Sequence, residues 1–209
     1  MKKQCPVCVL DSDMFHKSLK ALYHKCASCG AVFMDESCFL PPEQEKKRYE
    51  THNNDVNDEG YRGFVLPLVT AVTQRYTPHH RGLDFGCGAG PVASVMLGEK
   101  GYKTALYDPF FHDNPEALKG KYDYIICSEV AEHFKEPLKE FMLLKSLLKP
   151  GGSLFCMTEL INETMNFEKW TYKNDPTHVI FYTIRTLARA ADRAGFAALE
   201  TGGRLHIFS

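Results

Sequence analysis

The stretch GLDFGCGAGP, residues 82–91, decides the fold of this chain. An apolar segment ends at Phe85, and three glycines follow it at Gly86, Gly88 and Gly90 before a helix-forming run begins. Glycine adopts backbone angles that other residues avoid and lets a ligand approach the main chain closely. The pattern predicts a buried strand, a tight loop and a helix, with backbone N–H groups facing the carboxylate or phosphate of a ligand.

Two acidic residues accompany the glycine loop. Asp84 lies beside it, where a carboxylate suits a ligand that carries an ammonium group. The next apolar run, 103–107, predicts a second strand, and Asp108 follows it, 22 residues after Gly86. A carboxylate at that strand end can accept hydrogen bonds from both hydroxyls of a ribose. The loop is G-x-G-x-G and not the dinucleotide pattern G-x-G-x-x-G, so a dehydrogenase is a weaker alternative.

Strand-like and helix-like runs alternate on both sides of the glycine loop. Strands are predicted at residues 82–85, 103–107, 122–127 and 153–158, and helices at 61–76, 91–100, 137–148 and 184–194. Residues 197–201 and 204–208 predict a terminal hairpin. This alternation predicts an α/β fold with a mostly parallel sheet, to which the hairpin adds an antiparallel strand.

Four cysteines near the N-terminus form two C-x-x-C pairs. Cys5, Cys8, Cys26 and Cys29 have the spacing C-x2-C-x17-C-x2-C, which is typical of a four-thiolate zinc site. The sequence therefore predicts a zinc ribbon over residues 1–40, in which the metal supplies much of the folding free energy. Unbound thiols and a redox dithiol are the alternatives.

The composition limits the class of protein. The 209 residues are 44% hydrophobic and 24% charged, with a net charge of −1. These values are typical of a soluble globular protein without a strong field for nucleic acid or membranes. We expect no membrane partner and a cytoplasmic location, because no apolar run approaches the length of a span and the start lacks a signal-peptide pattern. Residues 41–60 are polar and predict a linker or lid before the α/β domain at 61–209.

Four segments of the α/β domain resemble the class I S-adenosylmethionine-dependent methyltransferases: LDFGCGAG, ALYDP, YDYIICSEVAEHF and LKPGG. This resemblance implies a Rossmann-like fold that binds S-adenosylmethionine. It places the loop glycines at the methionine end of the cofactor, Asp84 at its amino group, Asp108 at the ribose, and Ser128 and Glu129 near the sulfonium. The cofactor-binding residues that it implies are Asp84, Gly86, Cys87, Gly88, Gly90, Asp108, Pro109, Ser128 and Glu129.

One part of the chain is shorter than this family's pattern. Only 14 residues, 109–122, separate Asp108 from Asp123, so the usual second helix and third strand barely fit. The residues that cradle the adenine ring are therefore open, with Phe110 or Phe111 as candidates for stacking on it.

The segment Ser-Glu-Val-Ala-Glu-His, 128–133, supplies candidate catalytic residues. Glu129, Glu132 and His133 stand at i, i+3 and i+4, so a helical turn would place all three on one side. With His178 they form an E-x-x-E-H motif plus a distant histidine. This is similar to the metal-dependent branch that includes ubiquinone-pathway O-methyltransferases and small-RNA 2′-O-methyltransferases. The resemblance implies a divalent ion such as magnesium or manganese held by these four residues.

Alternatives without a metal remain open. Glu132 and His133 can instead shape the pocket through hydrogen bonds, and His133 or His178 can serve as a metal-free base. The acceptor pocket is predicted to lie under residues 159–182 and the linker. Its predicted lining residues are Trp170, Tyr172, Phe181 and Tyr182, with Tyr49, His52 and Tyr61 from the linker side.

Three functions follow from these patterns. The leading one is methylation of a small-molecule acceptor, with oxygen as the preferred nucleophile. The second is RNA or protein methylation, in which the zinc ribbon grips the macromolecule. Its candidate basic residues are Lys17, Lys20, Lys25 and the run 46–48. The third is a non-catalytic adaptor, which intact Asp84, Asp108 and loop glycines argue against.

Overall fold

The computed structural model describes residues 2–52, 55–162 and 164–209. Residues 1, 53, 54 and 163 belong to the predicted ribbon, the linker and the segment 159–182, and they lie outside the described residues. The strands are β1 (Lys3–Gln4), β2 (Asp11–Lys17), β3 (Leu22–Cys26), β4 (Val32–Met34), β5 (Arg81–Phe85), β6 (Lys103–Tyr107), β7 (Tyr122–Ser128), β8 (Leu148–Met157), β9 (Ile180–Phe181), β10 (Leu199–Gly202) and β11 (Leu205–Phe208). The α-helices are α1 (Pro42–Glu50), α2 (Glu59–Arg75), α3 (Val92–Gly98), α4 (Pro137–Leu147) and α5 (Ile184–Ala194).

The larger sheet has six strands in the order β10-β11-β8-β7-β5-β6. β5 pairs in parallel with β6 and with β7, and β7 pairs in parallel with β8. β11 is antiparallel to β8 and to β10. The predicted α/β class, the mostly parallel sheet and the antiparallel C-terminal hairpin are confirmed.

Helices cover both faces of this sheet, which explains why its central strands are apolar throughout. On one face, Tyr124 and Ile126 of β7 pack in a cluster with buried residues of α2 and α3. On the other, Ile125 and Cys127 share a cluster with residues of α4 and α5. Alternate residues of one strand thus enter two separate apolar layers.

Helix termini follow local sequence signals. The Asp58 carboxylate caps α2 by accepting from the Tyr61 N–H at 2.6 Å. α5 begins with a capping box in which Thr183 and Thr186 exchange side-chain hydrogen bonds, and it ends at Gly195 with a φ of 84°. Pro67 lies inside α2 without ending it. No helix in the described part of the chain is both long and apolar enough to cross a membrane.

Three predicted elements differ from those observed. The strand predicted at 153–158 begins five residues earlier, because LKPGG joins β8 as an irregular start opposite Tyr122. Residues 41–60, predicted as a polar linker or lid, contain the nine-residue helix α1. Residues 108–121, all of which are described, form only an isolated bridge between Asp108 and His112 and a 3-10 helix at Pro115–Lys119. β6 consequently lies at the edge of the sheet.

The second sheet joins the N-terminal region to the rest of the chain. Its order is β1-β2-β3-β4-β9, and all its pairings are antiparallel. β9 comes from the segment that follows His178, so the sheet extends beyond residues 1–40. We call residues 2–40 the cysteine module. The domain boundary at residue 40 remains a prediction.

Candidate active site

The site lies where the order of the parallel strands reverses: β6 is added on one side of β5 and β7 on the other. The chain runs from β5 to β6 on one side and then returns to β7 on the other, which opens a crevice at the carboxyl ends of these strands. A cavity of about 910 Å³ occupies this position. Its lining includes all nine residues predicted to bind the cofactor: Asp84, Gly86, Cys87, Gly88, Gly90, Asp108, Pro109, Ser128 and Glu129. Their binding roles remain predictions.

The glycine loop is held tightly between β5 and its neighbours. Gly86 and Gly88 have φ values of 75° and 63°, in the left-handed region that favours glycine. A Cβ atom at Gly86 would lie 2.6 Å from the side chain of Val130. The Asp108 carboxylate accepts from the Gly88 N–H at 3.0 Å and from the Phe110 N–H at 2.9 Å. Asp108 thus fixes the loop that it faces.

Asp84 is buried beside the loop. Its carboxylate accepts from the Ser94 hydroxyl at 2.7 Å. Burial raises the pKa of Asp84 to about 7, and the nearby charge of Asp108 acts in the same direction. A buried carboxylate with a single hydrogen-bond donor of this kind favours a cationic ligand group, which would stabilise its ionised form.

Glu129 has an unusual backbone conformation. Its φ is 54°, which is rare for a residue with a side chain and is common at functional sites. The Arg204 guanidinium donates to its carboxylate at 2.5 Å, and Arg204 also contacts Glu159. Burial and the neighbouring Glu132 raise the pKa of Glu129 to about 7. Glu129 precedes the 3-10 helix Ala131–His133, so Glu129, Glu132 and His133 do not share one helical turn.

Glu132 is fully buried and is held by two hydroxyls. Thr158 donates to it at 2.9 Å, and Tyr172 donates at 2.5 Å. The same Tyr172 hydroxyl lies 3.3 Å from the carboxylate of Glu129 and therefore joins the two acids. Burial raises the pKa of Glu132, while the Tyr172 hydrogen bond opposes that shift.

Both candidate histidines have a defined orientation. The Nδ1 of His133 lies 2.9 Å from the Thr177 carbonyl, and the Nδ1 of His178 lies 2.7 Å from the Tyr172 carbonyl. A carbonyl only accepts, so each Nδ1 carries the proton and each Nε2 keeps its lone pair. Burial lowers the pKa of His133 and lowers that of His178 to about 3, so both rings are neutral.

Three of the four predicted ligands of a divalent ion come together. Ligand atoms of Glu132, His133 and His178 all lie within 4.8 Å of one another. Two imidazole nitrogens oriented by backbone carbonyls and one carboxylate suit a borderline divalent ion. Glu129 stands outside this group and is bound by Arg204 instead.

α1 lies against the mouth of the cavity. Tyr49 and His52 line it, as predicted, together with Tyr61 of α2. The Tyr49 ring is 5.7 Å from that of Phe110 and 5.3 Å from that of His133, so it stands between the predicted cofactor and acceptor sides. An ion pair between Glu45 of α1 and Lys135, at 2.8 Å, holds the helix in place.

The aromatic residues of the segment 159–182 were predicted to line the cavity, but the described lining does not include them. Trp170, Phe181 and Tyr182 are buried, and the first two pack together with a ring separation of 5.0 Å. β9 carries Phe181 into the sheet of the cysteine module, which explains this difference. Tyr172 acts through its hydroxyl on Glu129 and Glu132 and is absent from the described lining.

The four predicted zinc ligands converge in the cysteine module. The sulfurs of Cys5 and Cys29 are 3.5 Å apart, those of Cys8 and Cys26 are 3.4 Å apart, and all four lie within 4.8 Å. A tetrahedral zinc with bonds of about 2.3 Å requires sulfur separations of roughly 3.8 Å, so the thiols fit this ion. A hydrogen bond with Cys5 lowers the pKa of Cys29 to about 5, which favours the thiolate that a metal binds.

Sequence reasoning missed several residues of the site. Arg204 follows the Gly202–Gly203 turn and reaches Glu129, while Asp175 lines the cavity and pairs with Arg48 at 2.7 Å. A charged residue next to a predicted glycine turn is the signal that could have drawn attention to Arg204. Asp175 stands in the same DPTH segment as His178, which is a comparable signal.

The fold and the cavity are those of a methyltransferase domain, and comparison with known families agrees. A family model described as a methyltransferase domain matches residues 40–201, so the chain belongs to this family. The chain is also similar to the ubiquinone biosynthesis O-methyltransferase of Sodalis glossinidius (strain morsitans), with 34% identity over 104 residues. That match covers 50% of this chain and spans only 41% of the relative's length. The methyltransferase superfamily predicted from sequence is confirmed.

Solved structures show the same fold. An O-methyltransferase family protein from Burkholderia thailandensis has a TM-score of 0.55 and 14% identity, covering 78% of this chain and 61% of that one. A SAM dependent methyltransferase from Archaeoglobus fulgidus has a TM-score of 0.54 and 21% identity, covering 66% of this chain and 71% of that one.

Proposed function

We propose that the protein transfers a methyl group from S-adenosylmethionine to an oxygen atom of a small-molecule acceptor. One observation carries the proposal: a single cavity brings the glycine loop, Asp84 and Asp108 together with His133 and His178. The first set suits a nucleoside with an amino-acid tail, and the second set suits a nucleophile that must lose a proton.

The cofactor half uses groups of complementary character. We assign the Asp84 carboxylate to the cofactor's ammonium group, and Asp108 to its ribose hydroxyls. The Gly86 and Cys87 N–H groups donate to the Tyr107 carbonyl and the Gly88 N–H donates to Asp108, so these three groups hold the turn and are not assigned to the cofactor's carboxylate. Phe110 and Phe111 line the same cavity and are the candidates for stacking on adenine. S-adenosylmethionine, when bound, supplies an electrophilic methyl on a sulfonium, which the acceptor attacks in line.

The acceptor half is organised to receive a proton. The Nε2 atoms of His133 and His178 are unprotonated, and His133 is the better candidate to accept the proton of an acceptor hydroxyl, because a pKa of about 3 makes His178 a weak base. Tyr172 and Thr158 orient Glu132 beside His178, whose Nε2 lies 4.0 Å from that carboxylate. If magnesium or manganese is bound by Glu132, His133 and His178, it would lower the pKa of the acceptor hydroxyl.

Charge favours a small acceptor over RNA. Lys135 is the one lysine or arginine among the described residues that line the cavity, and it is paired with Glu45. Carboxylates dominate the lining: Glu45, Asp84, Asp108, Glu129, Glu132, Glu136, Glu140 and Asp175. RNA binding depends on neutralising phosphates with cations, which this cavity does not offer. RNA or protein methylation through the cysteine module is therefore the second candidate, and a non-catalytic adaptor is the third.

Zinc in the cysteine module and a cytoplasmic location belong to the same proposal. All eight cysteines lie among the described residues and none of them is in a disulfide, which suits a reducing compartment. The convergence of four sulfurs supports the zinc assignment.

The decisive experiment separates binding from transfer. Calorimetry with S-adenosylhomocysteine tests the cofactor half, and Asp84→Asn should weaken that binding. A screen of phenols, alcohols, amines and RNA oligonucleotides, followed by release of S-adenosylhomocysteine with and without magnesium or manganese, tests the acceptor half. Absence of cofactor binding by the wild-type protein would favour the adaptor. Turnover of RNA alone would replace the small-molecule assignment.

A further inference from the structure

The cysteine module is connected directly to the acceptor half of the cavity. β4 pairs with β9, the strand that begins two residues after His178. The Val179 carbonyl accepts from the Met34 N–H at 2.8 Å, and the Val179 N–H donates to the Glu132 carbonyl at 2.9 Å. A single peptide segment therefore bridges the module and the E-x-x-E-H motif.

One zinc-ligand candidate is itself held by the α/β domain. The Cys29 carbonyl accepts from the hydroxyls of Thr183 and Thr186, at 3.0 and 2.8 Å. A Cβ atom on the next residue, Gly30, would come within 3.1 Å of Thr183, so the two units approach closely. These hydroxyls also cap α5, which follows β9. A shift of the cysteine cluster must therefore move the segment after His178.

Aromatic packing provides a second connection. Tyr23 of β3 lies 6.0 Å from the ring of Phe181, and Phe181 lies 5.0 Å from that of Trp170. Trp170 in turn packs 5.3 Å from Tyr172, whose hydroxyl joins Glu129 and Glu132. This layer continues from the module to the paired acids without interruption.

We propose that the four-cysteine cluster positions the acceptor half of the active site, by holding His178 and Tyr172 against Glu132. The inference rests on the proposed function in one respect: that function identifies this side of the cavity as the place where the acceptor binds. Most of the cofactor half is carried by the ends of β5 and β6 in the other sheet, and Glu129 is its residue in contact with Tyr172. The geometry of the cofactor half therefore depends less on the cluster. Metal bound to the cluster is then needed for the transfer of the methyl group to the acceptor, and much less for binding of the cofactor.

Trp170 makes this testable, because it is the only tryptophan of the chain and lies in the connecting layer. Zinc would be removed from the full-length protein with a chelator and then restored. We expect Trp170 emission to shift to longer wavelength and the Val179 and Ile180 amides to exchange at least about tenfold faster. The dissociation constant of S-adenosylhomocysteine should change by less than about threefold, and zinc should reverse each change.

Matched variants distinguish positioning from general loss of folding. Cys26→Ser removes a ligand of the cluster, while Cys38→Ser makes the same change at a half-buried thiol outside it. Thr186→Val keeps all four thiols and removes a hydroxyl from the Cys29 carbonyl, so it should reproduce a smaller shift of Trp170 emission. Cys38→Ser should behave as wild type.

Two results would overturn the proposal. Unchanged Trp170 emission and amide exchange after zinc removal would make the module an independent unit. Parallel loss of cofactor binding would make the cluster a support for the whole fold. Failure of the proposed function is a separate result, because it appears as absent S-adenosylhomocysteine binding in the untreated wild-type protein.

Discussion

We expect Asp84 to make cofactor binding depend on pH. Its pKa is raised by burial to about 7, so lowering the pH through 7 protonates it in the free protein. A proton then competes with the ammonium group of the cofactor, and affinity for S-adenosylhomocysteine should fall by up to about tenfold per pH unit below 7. Calorimetry between pH 5.5 and 8.5, values chosen to bracket this pKa, measures the effect. Asp84→Asn should bind weakly with little dependence on pH, and an equal slope in that variant would exclude Asp84 as its source.

Gly86 has no room for a side chain, because a Cβ atom there would lie 2.6 Å from Val130. Gly86→Ala should destabilise the protein by about 2–3 kcal/mol and abolish cofactor binding, because it combines a positive φ with a clash against Val130. Gly151→Ala is the matched control, since Gly151 has a φ of 77° and open space around it. It should cost only about 1 kcal/mol. Urea denaturation of both variants measures the difference, and equal losses would refute a role for Val130.

Tyr172 controls the protonation of two carboxylates. Its hydroxyl opposes the rise in the pKa of Glu129 and of Glu132. Tyr172→Phe should therefore raise both pKa values and move the acidic limb of the pH–rate profile upward, by about one unit. Tyr102→Phe is the control, because it removes a hydroxyl bonded to the Tyr76 carbonyl on the opposite side of the sheet. An unshifted profile in Tyr172→Phe would contradict this role.

At the scale of elements, α1 contributes Glu45 and Tyr49 to the cavity lining, and we expect it to limit release of the cofactor product. The buried Glu45 holds it to Lys135 and also accepts from the Tyr49 hydroxyl at 3.1 Å. Glu45→Gln should loosen the helix and speed release of S-adenosylhomocysteine several-fold, at a cost of about 1 kcal/mol. Glu43→Gln changes an exposed acid on the same helix and should have no effect. Stopped-flow dissociation measures both; equal rates would show that α1 does not limit release.

At the scale of the whole molecule, two metal sites should be separable. Elemental analysis should find a single zinc ion per chain, lost on Cys8→Ser. Any bound magnesium or manganese should be lost on His178→Ala while the zinc remains, because the two clusters share no residue. Loss of the zinc in His178→Ala, with the fold intact by circular dichroism, would contradict separate sites.

Much of this architecture could be predicted from local patterns. β6, α5 and the loop at Gly86 follow from apolar runs, caps and glycines that act within a few residues. The residues predicted to bind the cofactor line one cavity because the ends of neighbouring parallel strands must meet. The metal-ligand spacing of the first pair of cysteines, Cys5 and Cys8, likewise depends only on a short turn.

The rest depends on contacts between residues far apart in sequence. The pairing of β4 with β9 joins residues about 150 positions apart, and no local pattern of apolar residues predicts such a pairing. It carries Phe181 into the core, where the sequence predicted a pocket wall. The left-handed backbone of Glu129 and its partner Arg204 also arise from tertiary packing, which overrides the helical spacing of the motif.

The short connection after β6 has a consequence for solubility. Because the described segment 108–121 adds no strand beside it, β6 has one edge whose backbone N–H and C=O groups could pair with a strand of another chain. This border is only five residues long, opens with the exposed Lys103, and is followed by Pro109. We expect a short edge strand with a lysine at its start and a proline just after its end to resist pairing with a strand of another chain. The chain can therefore lack the extra strand without exposing a surface that promotes aggregation.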